Sequence, residues 1–211
     1  MFYSLAISHV HTPYQMCITH PFVTQLKAST LPKITFAYYI QQDQEYLKHY
    51  VICLRKWQLM VPKEYQSFIE EMIQEVETKE VTFQRRALSE LPQVEYVPDQ
   101  ITIRYIEHLY ASLATKNHAY IYASLLACPF IYQKIAQDIE LESIQEPLYK
   151  EWFSLYQITD TKQIQEMQEV RLAEFCQLEE CTLDSCVPYF MQSMVDEALF
   201  FAMPLYQEVV A

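Results

Sequence analysis

Read at helical period, Phe36, Tyr39, Ile40, Asp43, Tyr46, Leu47 and Tyr50 fall on one face. Asp43 is the single charge in that apolar, aromatic stripe. Burying an unpaired carboxylate costs roughly several kcal/mol or more. Either Asp43 is a core residue satisfied by tyrosine hydroxyls or a backbone group, or it is a ligand-facing acid in an aromatic pocket.

Five further polar or reactive groups stand on apolar faces. Tyr46 lies one turn beyond Asp43, and Tyr105 shares a face with Ile101, His108 and Leu109. Cys128 sits with Leu125, Pro129 and Tyr132, and Tyr156 ends the segment opened by Pro147. Glu197 shares a face with Phe190, Met194, Phe200 and Phe201. A buried cysteine is most often an inert small hydrophobe, and with 17 tyrosines in the chain an inward one is unremarkable. Two carboxylates embedded in aromatic helical stripes are harder to dismiss as core. The expectation is that Asp43, Tyr46, Tyr105, Cys128, Tyr156 and Glu197 converge on one enclosed pocket.

The elements that must position these groups all read as helices. Residues 3–18 are weakly amphipathic, interrupted at His9, His11 and Pro13. Pro21 suits the first position of a short helix. Pro32 starts a long one that carries Asp43 and ends near Met60. Pro62 starts the next, with a stripe of Phe68, Met72, Ile73, Val76 and Phe83 and a face of Glu and Lys assigned to solvent. The clear non-helical linker is 91–98. Asp99 is an N-cap for a helix over 100–115. Lys116-Asn117-His118 separates it from a helix over 118–137. Pro147 opens another. Asp160 caps a helix running to about Glu180, and a last helix over 183–203 is expected to break or kink near Pro188. No strand pattern competes. The reading is an all-α bundle of seven to nine helices in one domain, 1–211, with ligand sites between helices.

A net charge of −12 and a pI near 4.9 argue against nucleic acid or an anionic membrane as partner. No apolar run approaches the ~18 residues of a membrane span. No basic stretch followed by an apolar core marks a signal peptide, so a reduced, cytoplasmic setting is expected. Cys176, Cys181 and Cys186 are five apart, a spacing that matches no usual metal motif and walks around a helix. The chain has no glycine and one asparagine, Asn117, where roughly 15 glycines are expected at ordinary usage. Such a composition fits a redesigned or heavily biased sequence. Asn117 is expected to close a helix in the left-handed conformation, unless the helices end without left-handed residues.

These positions also carry a resemblance. His20-Pro21-Phe22-Val23, Thr30-Leu31-Pro32 and Tyr39-Ile40-Gln41-Gln42-Asp43 with Tyr46-Leu47 resemble the opening of the TenA family, the thiaminase II aminopyrimidine hydrolases. Tyr105-Ile106-Glu107-His108-Leu109-Tyr110 is similar to that family's central segment, and Ala127-Cys128-Pro129-Phe130-Ile131-Tyr132 to its cysteine segment. Pro147–Tyr156 and Glu197-Ala198-Leu199-Phe200-Phe201-Ala202-Met203 resemble the two that follow. Alanine replaces the proline before Cys128, and Pro204 follows the final motif.

The resemblance implies a haem-oxygenase-like bundle, usually a homotetramer, without haem, metal or other cofactor. Asp43 would bind the exocyclic amine and adjacent nitrogen of a 4-aminopyrimidine. Tyr46, Tyr132 and Phe200 would line or stack on the ring. Cys128 would attack the ring, and Glu197 would exchange a proton with its nitrogen. Tyr105 would assist Cys128 by hydrogen bonding, and Tyr156 would position Cys128 or the leaving group. The substrate would be thiamine or 4-amino-5-aminomethyl-2-methylpyrimidine, cleaved at the pyrimidine methylene. A soft nucleophile and a protonated acid suit that chemistry. Asp43 is then expected to be ionised and Glu197, in its apolar wall, protonated.

Two other readings compete. One is a pyrimidine-binding module of the same fold without turnover. The other is a metal-dependent oxidase on this scaffold, which needs repeated carboxylate–histidine sets on facing helices. Glu45 precedes His49 by one turn, but Arg104 occupies the matching place before His108, so no second pair forms.

Overall fold

The computed structural model describes residues 1–206, and every regular element among them is helical. Phe2–His9 (α1) and His11–Ile18 (α2) break only at Val10, and Pro21–Lys27 (α3) follows. Lys33–Gln58 (α4) is the longest helix. Lys63–Glu75 (α5) runs through a π turn, Val76–Glu80, into Val81–Glu90 (α6). Gln100–Ala114 (α7), His118–Gln137 (α8), Pro147–Tyr156 (α9), Thr161–Leu178 (α10) and Leu183–Tyr206 (α11) complete the order. The eleven segments make nine rods when α1–α2 and α5–α6 are each taken as one. No helix among the described residues is long and apolar enough to cross a membrane.

Local chemistry explains most boundaries. Pro21 and Pro147 occupy first helical positions, where the missing N–H is not needed. Asp99 accepts a 2.8 Å hydrogen bond from the Ile101 N–H, and Asp160 one of 2.9 Å from the Gln163 N–H. Each thereby satisfies a free amide of the helix it opens.

Asn117 departs from expectation. Its φ is −88° and its side chain accepts from the Tyr120 N–H, so it caps the start of α8 instead of closing α7. The left-handed residues are Ser29, Lys116 and Glu180, with φ of 55°, 58° and 51°. The tight reversals are thus made by residues that carry a Cβ, at a strain of about 1–2 kcal/mol each. Nor does α11 break at Pro188, which lies inside one continuous helix.

Helix α8 is apolar around most of its circumference and lies at the centre, with α11 its principal neighbour and α10, α7, α9 and α2 around it. Pro129, inside α8, has no N–H to give the Leu125 carbonyl. The Tyr50 hydroxyl from α4 donates to that carbonyl at 3.4 Å instead. The 91–99 linker is tied to α4 by two glutamines. Gln41 donates to the Val94 carbonyl and Gln42 to the Val97 carbonyl, both at 2.8 Å. The Gln42 carbonyl accepts from the Asp99 N–H and the Thr102 hydroxyl. These ties seat α7 on α4, and so set Tyr105 against Tyr46, ring centroids 4.4 Å apart.

Candidate active site

A cavity of about 540 Å³ opens between α4, α5, the π turn, α8, α9 and α10. Glu75, Lys79 and Met167 form its exposed outer wall. Cys128, Tyr156 and Glu80 also line it. Asp43, Tyr46, Tyr105, Tyr132, Glu197 and Phe200 do not; they are buried residues packed behind Cys128. Of the six groups expected in one enclosed pocket, Cys128 and Tyr156 line this cavity, while Asp43, Tyr46, Tyr105 and Glu197 are buried away from its surface.

Behind Cys128, the Glu197 carboxyl accepts from the Tyr105 hydroxyl at 2.8 Å, and Cys128 and Glu197 perturb each other's pKa. Tyr105 thus holds the acid, not the thiol as expected, because it rises from α7 directly opposite α11. Burial raises the Glu197 pKa to about 8, against the lowering effect of the Tyr105 and Cys128 hydrogen bonds. Asp196 next to it is fully buried, yet its charge is compensated by Arg104, Nη2 to Oδ1 at 2.5 Å. Burial pushes the Cys128 thiol well up, and the charges of Glu197, Glu80 and Asp43 push it further. These shifts favour the neutral thiol of Cys128.

Asp43 accepts a 2.7 Å hydrogen bond from the Gln84 amide. Burial, then the charge of Glu80, holds its carboxyl well above the usual range, and the Gln84 bond offsets only part of this. The expectation of an ionised Asp43 rests on donors supplied by an aminopyrimidine and by tyrosine hydroxyls. Among the described residues its hydrogen-bond partner is the neutral Gln84 amide, which only partly offsets desolvation. The Tyr46 hydroxyl and the Gln84 carbonyl oxygen are buried without a hydrogen bond of normal geometry. Such groups are rare in folded proteins and point to a missing polar partner. Tyr132 gives its hydroxyl to a 2.6 Å contact with Tyr39. Phe200 packs on Tyr39, Tyr46 and Tyr105.

Tyr156 donates to Glu80 at 2.9 Å, so it too is engaged with an acid and not with Cys128. Burial raises the Glu80 pKa to about 7, against the lowering effect of the Tyr156 bond. Sequence reasoning assigned Glu80 to a solvated face and passed over Gln84. The signal was present, since 76, 80, 84 and 87 continue one helical stripe. The stripe runs on through the π turn at 76–80, and the third carboxylate was passed over because it is one acid among many on that rod.

The arrangement can move a proton between sulfur and a ligand through Glu197, and can present two more carboxyl groups, Asp43 and Glu80, to nitrogen functions on either side. Among the described residues, the group of three metal-ligating side chains within mutual reach is Cys176, Cys181 and Cys186, which lies outside this site.

A family model described as the TENA/THI-4/PQQC family matches residues 8–205. An aminopyrimidine aminohydrolase of Staphylococcus saprophyticus is 27% identical over 205 residues, covering 89% of this chain and 86% of that protein. The solved structure of a TenA homologue from Pyrococcus furiosus superposes with a TM-score of 0.83 at 16% identity, covering 97% of this chain and all of that one. A domain of unknown function from Shewanella denitrificans, described as having a haem-oxygenase-like fold, gives a TM-score of 0.71 at 22% identity, over 96% of this chain and 91% of that one.

Proposed function

The chain belongs to the TENA/THI-4/PQQC family, and from that premise we propose that it hydrolyses the C–N bond at the methylene of an aminopyrimidine, 4-amino-5-aminomethyl-2-methylpyrimidine or thiamine. The product would be the hydroxymethyl-pyrimidine, as in thiamine salvage. The observation that carries the proposal is the buried Glu197 carboxyl, held by the Tyr105 hydroxyl at 2.8 Å and electrostatically coupled to Cys128 on the cavity wall.

In this reading the pyrimidine enters past Cys128, and the rings of Tyr46, Phe200 and Tyr105 part to admit it. The 4-amino group reaches Asp43 and the free Gln84 carbonyl. Cys128 sulfur bonds to a ring carbon while a ring nitrogen takes a proton. Glu197, protonated below about pH 8, gives its proton to that nitrogen and receives the thiol proton in exchange. The net transfer is from sulfur to ring, and no charge has to be created among these buried groups. Ring electrons then expel the cationic substituent as a neutral amine or thiazole, leaving an exocyclic double bond. Water adds to the exocyclic carbon, its proton passing to Glu80. The C–S bond breaks, and the ring proton returns to sulfur through Glu197.

Glu80, held by Tyr156, faces the cavity and would pair with the positive nitrogen before it departs. Around it, Glu71, Glu75 and Glu166 outnumber Lys79 and Arg171, a balance that favours such a cation. We extend the proposal to a single helical domain that assembles as a cytoplasmic homotetramer, the state the family resemblance implies. Sedimentation would test the assembly.

The deciding experiment incubates the purified protein with thiamine and, separately, with the aminomethyl-pyrimidine, and follows the hydroxymethyl-pyrimidine by chromatography. Turnover of at least one is expected. Calorimetric binding of both with no product would replace the hydrolase by a pyrimidine-binding module.

A further inference from the structure

Cys176, Cys181 and Cys186 bring three sulfur atoms within 4.8 Å of one another. The spacing of five would scatter them on a continuous helix, but the helix ends between them. Cys176 is in the last turn of α10, Cys181 in the connection and Cys186 in the first turn of α11. Glu180, with φ of 51°, reverses the chain, and the Cys181 N–H donates to the Cys176 carbonyl at 2.9 Å. The Cys176 and Cys186 sulfurs are 3.5 Å apart. Both residues are buried, whereas Cys181 is half-buried and gives access from solvent.

We propose that these three thiols form a trigonal binding site for a soft monovalent metal ion, Cu(I), separate from the catalytic apparatus. Metal–thiolate bonds of about 2.3 Å set three sulfurs in a plane about 4.0 Å apart. The present spread, from 3.5 Å to under 4.8 Å, reaches that by small side-chain movements. No histidine, aspartate or glutamate among the described residues joins the three sulfurs within that range. Zn(II), which favours four ligands, would lack one from the protein, while thiolates alone select Cu(I). Each S–H that binds is replaced by a metal–sulfur bond and its proton passes to solvent, so no oxidant or reductant is consumed. Glu197 lies eleven residues further along α11, about 16 Å at 1.5 Å per residue. The ion would staple α10 to α11 without touching the reacting groups.

The test uses the full chain, reduced and anaerobic, titrated with Cu(I) supplied as its acetonitrile complex against bathocuproine disulfonate as competitor. Wild type should hold one ion per chain, show a sulfur-to-metal band in the near ultraviolet, and have Cys181 alkylated by iodoacetamide about tenfold more slowly once loaded. Cys181→Ser, at a half-buried position, should lose the ion while keeping helical circular dichroism and pyrimidine turnover. Peptide mapping of loaded and unloaded wild type gives the same answer without any variant. Equal Cu(I) retention in wild type and Cys181→Ser, or unchanged alkylation of Cys181 on loading, would overturn the site. Displacement of Cu(I) by equimolar Zn(II) would overturn the choice of ion.

Discussion

Tyr105 donates its hydroxyl to Oε1 of Glu197 at 2.8 Å, so the phenol acts on the acid whose pKa is coupled to Cys128. The bond favours the carboxylate and lowers the Glu197 pKa against burial. Tyr105→Phe removes it. The Glu197 pKa should then rise above its present value of about 8, and the alkaline limb of the pH–rate profile should move to higher pH. A fall in kcat of about tenfold is expected, the equivalent of one hydrogen bond to a charged group. A limb that stays in place would show that Tyr105 does not act through Glu197.

Glu197→Gln keeps a hydrogen-bonding group beside Cys128 but supplies no transferable proton. It should lower kcat by about 10²–10⁴, with a smaller change in KM, the pattern for a lost proton donor. Steady-state kinetics on the aminomethyl-pyrimidine decide the matter. A rise in KM alone would reduce Glu197 to a binding residue.

Cys128→Ser should abolish turnover and leave pyrimidine binding measurable by calorimetry, because binding rests on Asp43, Gln84 and the aromatic rings. The other five cysteines should tolerate serine with turnover retained. A Cys128→Ser enzyme working at the wild-type rate would rule out the covalent route.

Glu80 and Glu197 have folded-state pKa values raised to about 7 and about 8 from an ordinary 4.5. Between 4.5 and these values the unfolded chain has released a proton that the folded chain keeps. The folded state binds more protons there, so stability falls as pH rises. Their contribution is full below about pH 4.5 and lost as pH passes through 7 and 8. Thermal melts should give a lower Tm at pH 8 than at pH 5, and Glu80→Gln should narrow the gap. An unchanged gap would mean that Glu80 is not held protonated.

Lys116 is exposed and sits at φ of 58° between α7 and α8. Lys116→Gly relieves the clash of its Cβ, offset in part by the greater freedom of glycine in the unfolded chain. A net gain of about 0.5–1 kcal/mol is expected, read as a higher urea midpoint with an unchanged slope. A lower midpoint would show that the left-handed turn is unstrained.

The helices and most of their ends could be read from the chain alone. Prolines 21 and 147, the caps Asp99 and Asp160, and the 3.6-residue stripes act within a few residues of themselves, and such local effects survive whatever surrounds them. The same locality let Asp43 and Glu197 stand out as acids on apolar faces. Which groups meet is a different question, decided by how rods cross. Only the packing of α7 on α11 gave Tyr105 to Glu197, and only the approach of α6 to α4 gave Gln84 to Asp43. The upward shift of the Asp43 pKa followed from that packing too, because a neutral amide partner only partly offsets desolvation and the charge of Glu80 adds to it. Glu80 was passed over as one acid among many on its rod, because only the packing of α9 gave it Tyr156. The three clustered cysteines were hidden by the reversal at Glu180, and a fixed period read along a sequence carries no information about where a helix ends and the chain turns back.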